Sequence, residues 1–149
     1  MKHALTIAGS DCSGGAGIQA DLKTFAAHGV YGMSVIVSVV AENTERVISI
    51  EDISPKVICD QIDAVFTDIE VDAVKVGMLS GIEQMHAVAD KLAQYRPQHI
   101  VIDPVMVAKG GCALMQPEAL ETMKRVILPL ADVLTPNLPE AEALTGLSI

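Results

Sequence analysis

The stretch Ala4-Leu-Thr-Ile-Ala-Gly-Ser-Asp-Cys-Ser-Gly-Gly-Ala-Gly-Ile-Gln-Ala-Asp-Leu-Lys-Thr24 decides how this chain is read. It opens on an apolar run of strand length, residues 4–8. A loop then carries glycine at Gly9, Gly14, Gly15 and Gly17. From residue 16 the pattern turns helical, with Ile18, Leu22, Phe25 and Ala26 at i, i+4, i+7 and i+8. Strand, glycine loop and helix together describe a ligand loop, because glycine lets a small molecule approach the backbone N–H groups at a helix N-terminus. Two other glycine-loop readings compete. Gly9 to Gly14 fits the first six positions of a Walker A loop, but Gly15 and Ala16 stand where that motif needs Lys and then Ser or Thr, so the reading fails. Gly15-Ala-Gly-Ile-Gln-Ala20, with Glu42 22 residues further on, has the form of a dinucleotide fingerprint. Its first glycine trails Gly9 by six residues, whereas a dinucleotide turn starts directly at the strand end. An NAD- or NADP-dependent oxidoreductase is therefore the outside reading.

Working outward, strand-length apolar runs alternate with helical patterns. Ser54 and Pro55 supply an N-cap and a first-turn proline for a helix with Ile58, Ile62, Val65 and Phe66 on one face. Ser80 and Glu83 predict a capping box before the stripe Ile82, Met85, Ala89 and Leu92. Pro117 opens a helix with Leu120, Met123, Ile127 and Leu130, and Asn137 with Glu140 starts a last one that the chain end cuts short. Strands are expected at residues 4–8, 33–41, 47–50, 73–76, 99–102 and 132–134. Most are continuous apolar runs, as when helices cover both faces of a sheet. The expected fold is α/β: three layers, αβα, around a mostly parallel sheet. In such a sheet the segments after the strands share one edge, where open α/β sheets bind ligands.

Composition narrows the function. At 149 residues and 15.7 kDa the chain is one domain's length, able to bury roughly 68–70% of its unfolded surface. Half its residues are hydrophobic and only 19% are charged, which excludes intrinsic disorder. The longest apolar run, residues 33–41, holds two serines and falls well short of the roughly 20 residues of a membrane-spanning helix. A net charge of −9 without a Lys/Arg cluster repels phosphate backbones, and four scattered aromatics (Phe25, Tyr31, Phe66, Tyr95) make no base-stacking platform. No nucleic-acid or membrane partner is expected. Cys12, Cys59 and Cys112 contain no CxxC pair and suit a reducing cytoplasm.

Ala4 to Asp11, Ser13 to Thr24, Asp103-Pro-Val-Met106 and Thr135-Pro-Asn-Leu-Pro-Glu-Ala141 resemble the hydroxymethylpyrimidine and phosphomethylpyrimidine kinases of thiamine biosynthesis, which have the ribokinase-like fold. The four motifs run the length of the chain in the family's order. The resemblance implies phosphorylation, with ATP and Mg²⁺, of 4-amino-5-hydroxymethyl-2-methylpyrimidine and then of its monophosphate. It implies a substrate pocket of Gly9, Ala16, Asp21, Glu42, Met78 and Val105, with Asp103 and Asn137 toward the ATP phosphates and Glu140 toward magnesium through water. It also implies a homodimer for the full-length protein.

Read from their own positions, these residues are compatible with such a pocket. Asp21 lies about 40° from Phe25 and about 60° from Ile18 on a helical wheel, bordering the buried stripe. Glu42 offers two acceptors to an aminopyrimidine edge, where relatives often have a glutamine that both donates and accepts. Met78 and Val105 suit a core equally well. Asn137 and Glu140 also read as a capping pair, and Lys109-Gly110-Gly111 as either a phosphate contact or a surface turn. Family chains are longer and carry a Gly-Thr-Gly-Cys segment that forms the anion hole. No such segment occurs here, so residues 1–149 are expected to be the N-terminal part of a single, truncated ribokinase-like domain, without a catalytic residue and inactive alone, its sheet left with an open edge. A pyridoxal kinase-like activity and a non-catalytic pyrimidine-binding module are the alternatives.

Overall fold

Strand β1 (His3–Ala8) pairs with a neighbour on each side, and the chain is built around it. The computed structural model describes residues 1–108 and 111–149. The sheet has five strands in the order β2-β1-β5-β6-β7, with β2 at Tyr31–Ile36, β5 at Ala73–Val76, β6 at Ile100–Ile102 and β7 at Val133–Leu134. Every pairing in it is parallel, so each connection must cross over. Helices α1 (Gly17–Ala27), α2 (Pro55–Phe66) and α3 (Ile82–Tyr95) make the first three crossovers, and the helical segment of residues 117–130 makes the fourth, from β6 to β7.

Alternation along the strands assigns the layers. Leu5, Ile7, Met33 and Val35 are buried in one cluster with Ile58 and Ile62 of α2 and Met85 of α3. The residues between them face the other way and are small: Ala4, Thr6 and Ala8 on β1, Gly32 on β2. A Cβ on Gly32 would lie 2.9 Å from Leu22 and 3.1 Å from Phe25, so α1 sits directly on this second face. One helix on one face and two on the other give the expected three layers.

Four local expectations change. The run 33–41 does not continue as one strand but breaks at Val37 into β2 and β3 (Ser38–Glu42). Val37 still donates to the Ala8 carbonyl at 3.0 Å, but its own carbonyl accepts from Ile53 N–H at 2.9 Å and from Gln84 Nε2 at 2.8 Å. β3 then leaves the sheet and pairs antiparallel with β4 (Val47–Asp52) in a two-stranded ribbon, largely exposed along β4. The Ser80–Glu83 capping box does not form. Ser80 is buried, its hydroxyl 2.7 Å from Asp52 Oδ2 and 3.0 Å from Gln84 Oε1, and Gly81 takes the N-cap position.

The helix opened by Pro117 is irregular. A 3-10 turn at Pro117–Ala119, α4 at Leu120–Thr122, a π turn at Met123–Ile127 and a second 3-10 turn at Leu128–Leu130 follow one another. Pro129 has no N–H for the Arg125 carbonyl, so an α ladder cannot run through it. α5 (Leu138–Thr145) closes on Gly146, at φ 72°, rather than running on to the chain end. Ser54 caps α2 as expected, accepting from Val57 N–H at 3.4 Å.

Among the described residues no helix is long and apolar enough to cross a membrane. All three cysteines are free, Cys12 exposed and the others partly buried. β2 and β7 form the sheet edges, and Val133 and Leu134 of β7 are exposed.

Gln84 is buried and accepts from Ser80 N–H at 3.0 Å while holding the Val37 break. Gln84→Leu leaves those groups without a partner and should lower stability by about 1–3 kcal/mol in urea unfolding. An unchanged midpoint would show that the break holds without this side chain.

Candidate functional site

The chain leaves β1 for β2 on one side and later returns to β5 on the other. This reversal parts the connections at the carboxyl ends of β1 and β5 and opens a crevice there. The resulting cleft has a volume of about 440 Å³, within the range of small-molecule sites.

The glycine loop forms one wall, organised by a single buried carboxylate. Asp11 Oδ1 accepts from Ser13 N–H at 2.8 Å and from the Ser13 hydroxyl at 2.7 Å. Oδ2 accepts from Gly15 N–H at 2.9 Å and Ala16 N–H at 2.8 Å. Burial pushes the Asp11 carboxyl up, but these bonds outweigh it and hold the group below the usual aspartate range. The loop closes onto the sheet where Ile18 N–H donates to the Gly9 carbonyl at 3.0 Å. Only glycine fits at 17: φ is 56°, and a Cβ would stand 2.4 Å from the Gly9 oxygen.

The end of β3 forms the facing wall. Cys12 Sγ donates to the Glu42 carbonyl at 3.0 Å and accepts from Glu42 N–H at 3.4 Å, clasping the loop to this strand. Burial, and then the negative charge of Asp11, raise the Glu42 carboxyl above its ordinary value.

A second polar group occupies the floor. Thr6 Oγ1 and Lys75 Nζ both donate to Asp21 Oδ2, at 2.6 and 2.9 Å. Asp103, after β6, is raised mainly by burial; Lys75 opposes this, while Glu140 and Asp21 add to it.

The structure therefore brings Gly9, Ala16, Asp21, Glu42, Met78, Val105 and Asp103 to the border of one cleft. Met78 is 7% exposed and serves both core and wall, its sulfur standing 2.9 Å from where a Gly9 Cβ would be. Asn137 and Glu140 lie outside this lining, at the start of α5. There they form a reciprocal capping box, each side chain accepting from the other's N–H at 2.9 Å. Lys109 and Gly110 fall outside the described residues.

Thr6, Lys75 and the structural use of Asp11 are not apparent from sequence reading. A lysine within the otherwise apolar Ala73–Val76 is the available signal. Among the described residues no group of three or more His, Cys, Asp or Glu converges to hold a metal. Asp103 and Glu140 are nevertheless close enough for one charge to raise the other's carboxyl. Two carboxylates of this kind would reach Mg²⁺ only through its waters, several of which that ion retains.

A family model described as phosphomethylpyrimidine kinase matches residues 11–149. The chain is 53% identical over 146 residues to the hydroxymethylpyrimidine/phosphomethylpyrimidine kinase of Rhizobium meliloti strain 1021, covering 98% of this chain and 54% of that relative. Its fold is similar to the crystal structure of phosphomethylpyrimidine kinase from Clostridium difficile 630, with a TM-score of 0.94 and 52% identity over 100% of this chain and 64% of the other. It is also similar to pyridoxal kinase from Staphylococcus aureus in complex with AMP-PCP and pyridoxal, with a TM-score of 0.86 and 38% identity over 99% of this chain and 52% of that one. The chain spans about half the length of most of the curated relatives it matches.

Asp11 gives the site an acid limit. Its folded value lies below the ordinary value of about 3.9, so its contribution is complete above that pH and is lost as the pH falls through the folded value. Asp11→Ala should cost about 1–3 kcal/mol near neutrality. Thermal melts of the two proteins should begin to approach one another below about pH 3.9 and meet only below the folded value; parallel curves down to strong acid would contradict the assignment.

Proposed function

This chain belongs to the phosphomethylpyrimidine kinase family, and from that premise we propose that its cleft is the pyrimidine-binding side of a kinase site acting on 4-amino-5-hydroxymethyl-2-methylpyrimidine and its monophosphate. The observation that carries this reading is the convergence of Gly9, Ala16, Asp21, Glu42, Met78 and Val105, from separate segments of the chain, on one cleft of ligand size.

The chemistry of the wall supports the pyrimidine. An aminopyrimidine presents an amine N–H beside a ring nitrogen, and Glu42 meets that edge with a carboxyl whose proton affinity is raised by burial and by Asp11. One proton shared between carboxyl and ring nitrogen lets the pair form two hydrogen bonds, as a glutamine would. Pyridoxal has no amine beside its ring nitrogen, so the pyridoxal complex of the staphylococcal structure supports a second reading less well. Met78 and Val105 supply apolar contact for a flat ring.

ATP with Mg²⁺ would supply the transferable phosphoryl group and neutralise its charge. Asn137 would meet the phosphates with its side-chain N–H, Asp103 would reach them only through the ion and its waters, and Glu140 would hold the ion through water, while the reciprocal cap of Asn137 and Glu140 keeps both side chains in place. Because the chain spans about half the length of such relatives and its sequence holds no Gly-Thr-Gly-Cys segment, we infer that it binds the pyrimidine and by itself transfers no phosphoryl group.

Calorimetry in buffers of different ionisation enthalpy tests both parts. The pyrimidine should bind with uptake of about one proton above the raised Glu42 value, affinity falling as the pH rises. Glu42→Gln should bind without uptake, and an excess of pyridoxal should compete weakly. Absence of pyrimidine binding would overturn the site. Steady ADP release dependent on the pyrimidine would overturn the inferred inactivity.

A further inference from the structure

The four carboxylates that line the cleft have different tasks. Asp11 is consumed by the loop, Glu42 stands with the β3 wall, and Asp103 lies toward the phosphate side. Asp21 remains, and its surroundings are the most constructed in the cleft. We propose that Lys75 is a positioning residue: together with Thr6 it clamps one oxygen of Asp21, leaving the other as a fixed acceptor for the alcohol O–H of the ligand. This deepens the pyrimidine reading above and rests on it.

Three observations carry the inference. Thr6 and Lys75 are register partners on adjacent parallel strands, so both side chains leave the sheet on the face that α1 covers. There both donate to the same atom, Asp21 Oδ2, at 2.6 and 2.9 Å, and no protein donor reaches Oδ1 among the described residues. No buried side-chain oxygen or nitrogen in the described residues lacks a partner, so Oδ1 keeps some exposure to solvent, and Asp21 is among the residues that line the cleft. Space for the ammonium is reserved as well. A Cβ on Gly77 would stand 2.8 Å from Lys75 Nζ and 3.0 Å from Ala8 Cβ. Lys75 is the one lysine or arginine among the described residues lining the cleft.

The physical effect is orientation. A free aspartate exchanges its two oxygens and swings between rotamers, whereas two donors on one oxygen fix the plane of the carboxylate. The Lys75 and Asp21 side chains are 23% and 18% exposed, so the pair is shielded more than a surface ion pair. The ligand's alcohol would meet an acceptor already in place, which spares the ordering that a mobile carboxylate would require on binding.

The test compares two ligands on the 149-residue chain by calorimetry: the hydroxymethyl aminopyrimidine and its analogue carrying methyl in place of hydroxymethyl. The wild type should prefer the alcohol by about tenfold. Lys75→Met should cut that preference below about twofold while the analogue's affinity stays within about twofold. Lys75→Arg should restore part of it, and Gly77→Ala, which displaces the ammonium without removing its charge, should erode it. A purely structural role would weaken both ligands equally, so an unchanged ratio in Lys75→Met overturns the proposal. If circular dichroism shows that this variant does not fold, the same ratio is measured on Thr6→Val and Gly77→Ala, where a reduced preference supports the clamp and an unchanged one overturns it. Equal binding of both ligands by the wild type overturns this inference and leaves the pyrimidine site standing; binding of neither removes both.

Discussion

The fold of the site depends on one close approach, the first turn of α1 laid against the end of β1 with no side chain between them. Ile18 N–H reaches the Gly9 carbonyl because residue 17 has no Cβ, and the seven residues between Gly9 and Gly17 must then leave the line of the chain as a loop. A loop of that composition would otherwise be loose. Asp11 binds it from within, taking two donors on each oxygen, so the backbone around the cleft is set before any ligand arrives. The remaining walls then have a fixed reference: Cys12 is placed to hold Glu42, and Ser10 N–H to meet the Ser38 carbonyl at 2.9 Å.

What the sequence reveals follows from how local each determinant is. The strand, loop and helix of residues 4–27 are legible because apolar period, glycine placement and helix stripe all lie within one short window. The alternation of strands and helices is legible for the same reason, and with it the sheet edge at which the cleft opens. The break at Val37 is not, because the apolar run passes through it unchanged. Its cause lies in the distant partners Ile53 and Gln84. Ser80 carries a sound capping signal that Asp52 overrides from elsewhere in the chain. Lys75 can be noticed but not interpreted, since its partner is defined only once β1 and β5 are in register. Pro129 is in plain view, yet the spacing of Leu120, Met123 and Ile127 suggests an ordinary helix across it.

The site's charge also bears on its ligand. A cleft with four carboxylates and, among the described residues, one cation suits the ring end of a ligand rich in N–H and O–H donors. An aminopyrimidine alcohol has that character. The carboxyls of Glu42 and Asp103 are raised first by burial and only then by this crowding.

The Val37 break has an evolutionary corollary. The ribbon of β3 and β4 shares no ladder with the five-stranded sheet, and its turn at residues 43–46 is exposed throughout. Insertions or exchanges at that tip can remodel the neighbourhood of Glu42 while every register in the scaffold persists. Selection can therefore explore new substrates at the ribbon without wagering the foldability of the domain.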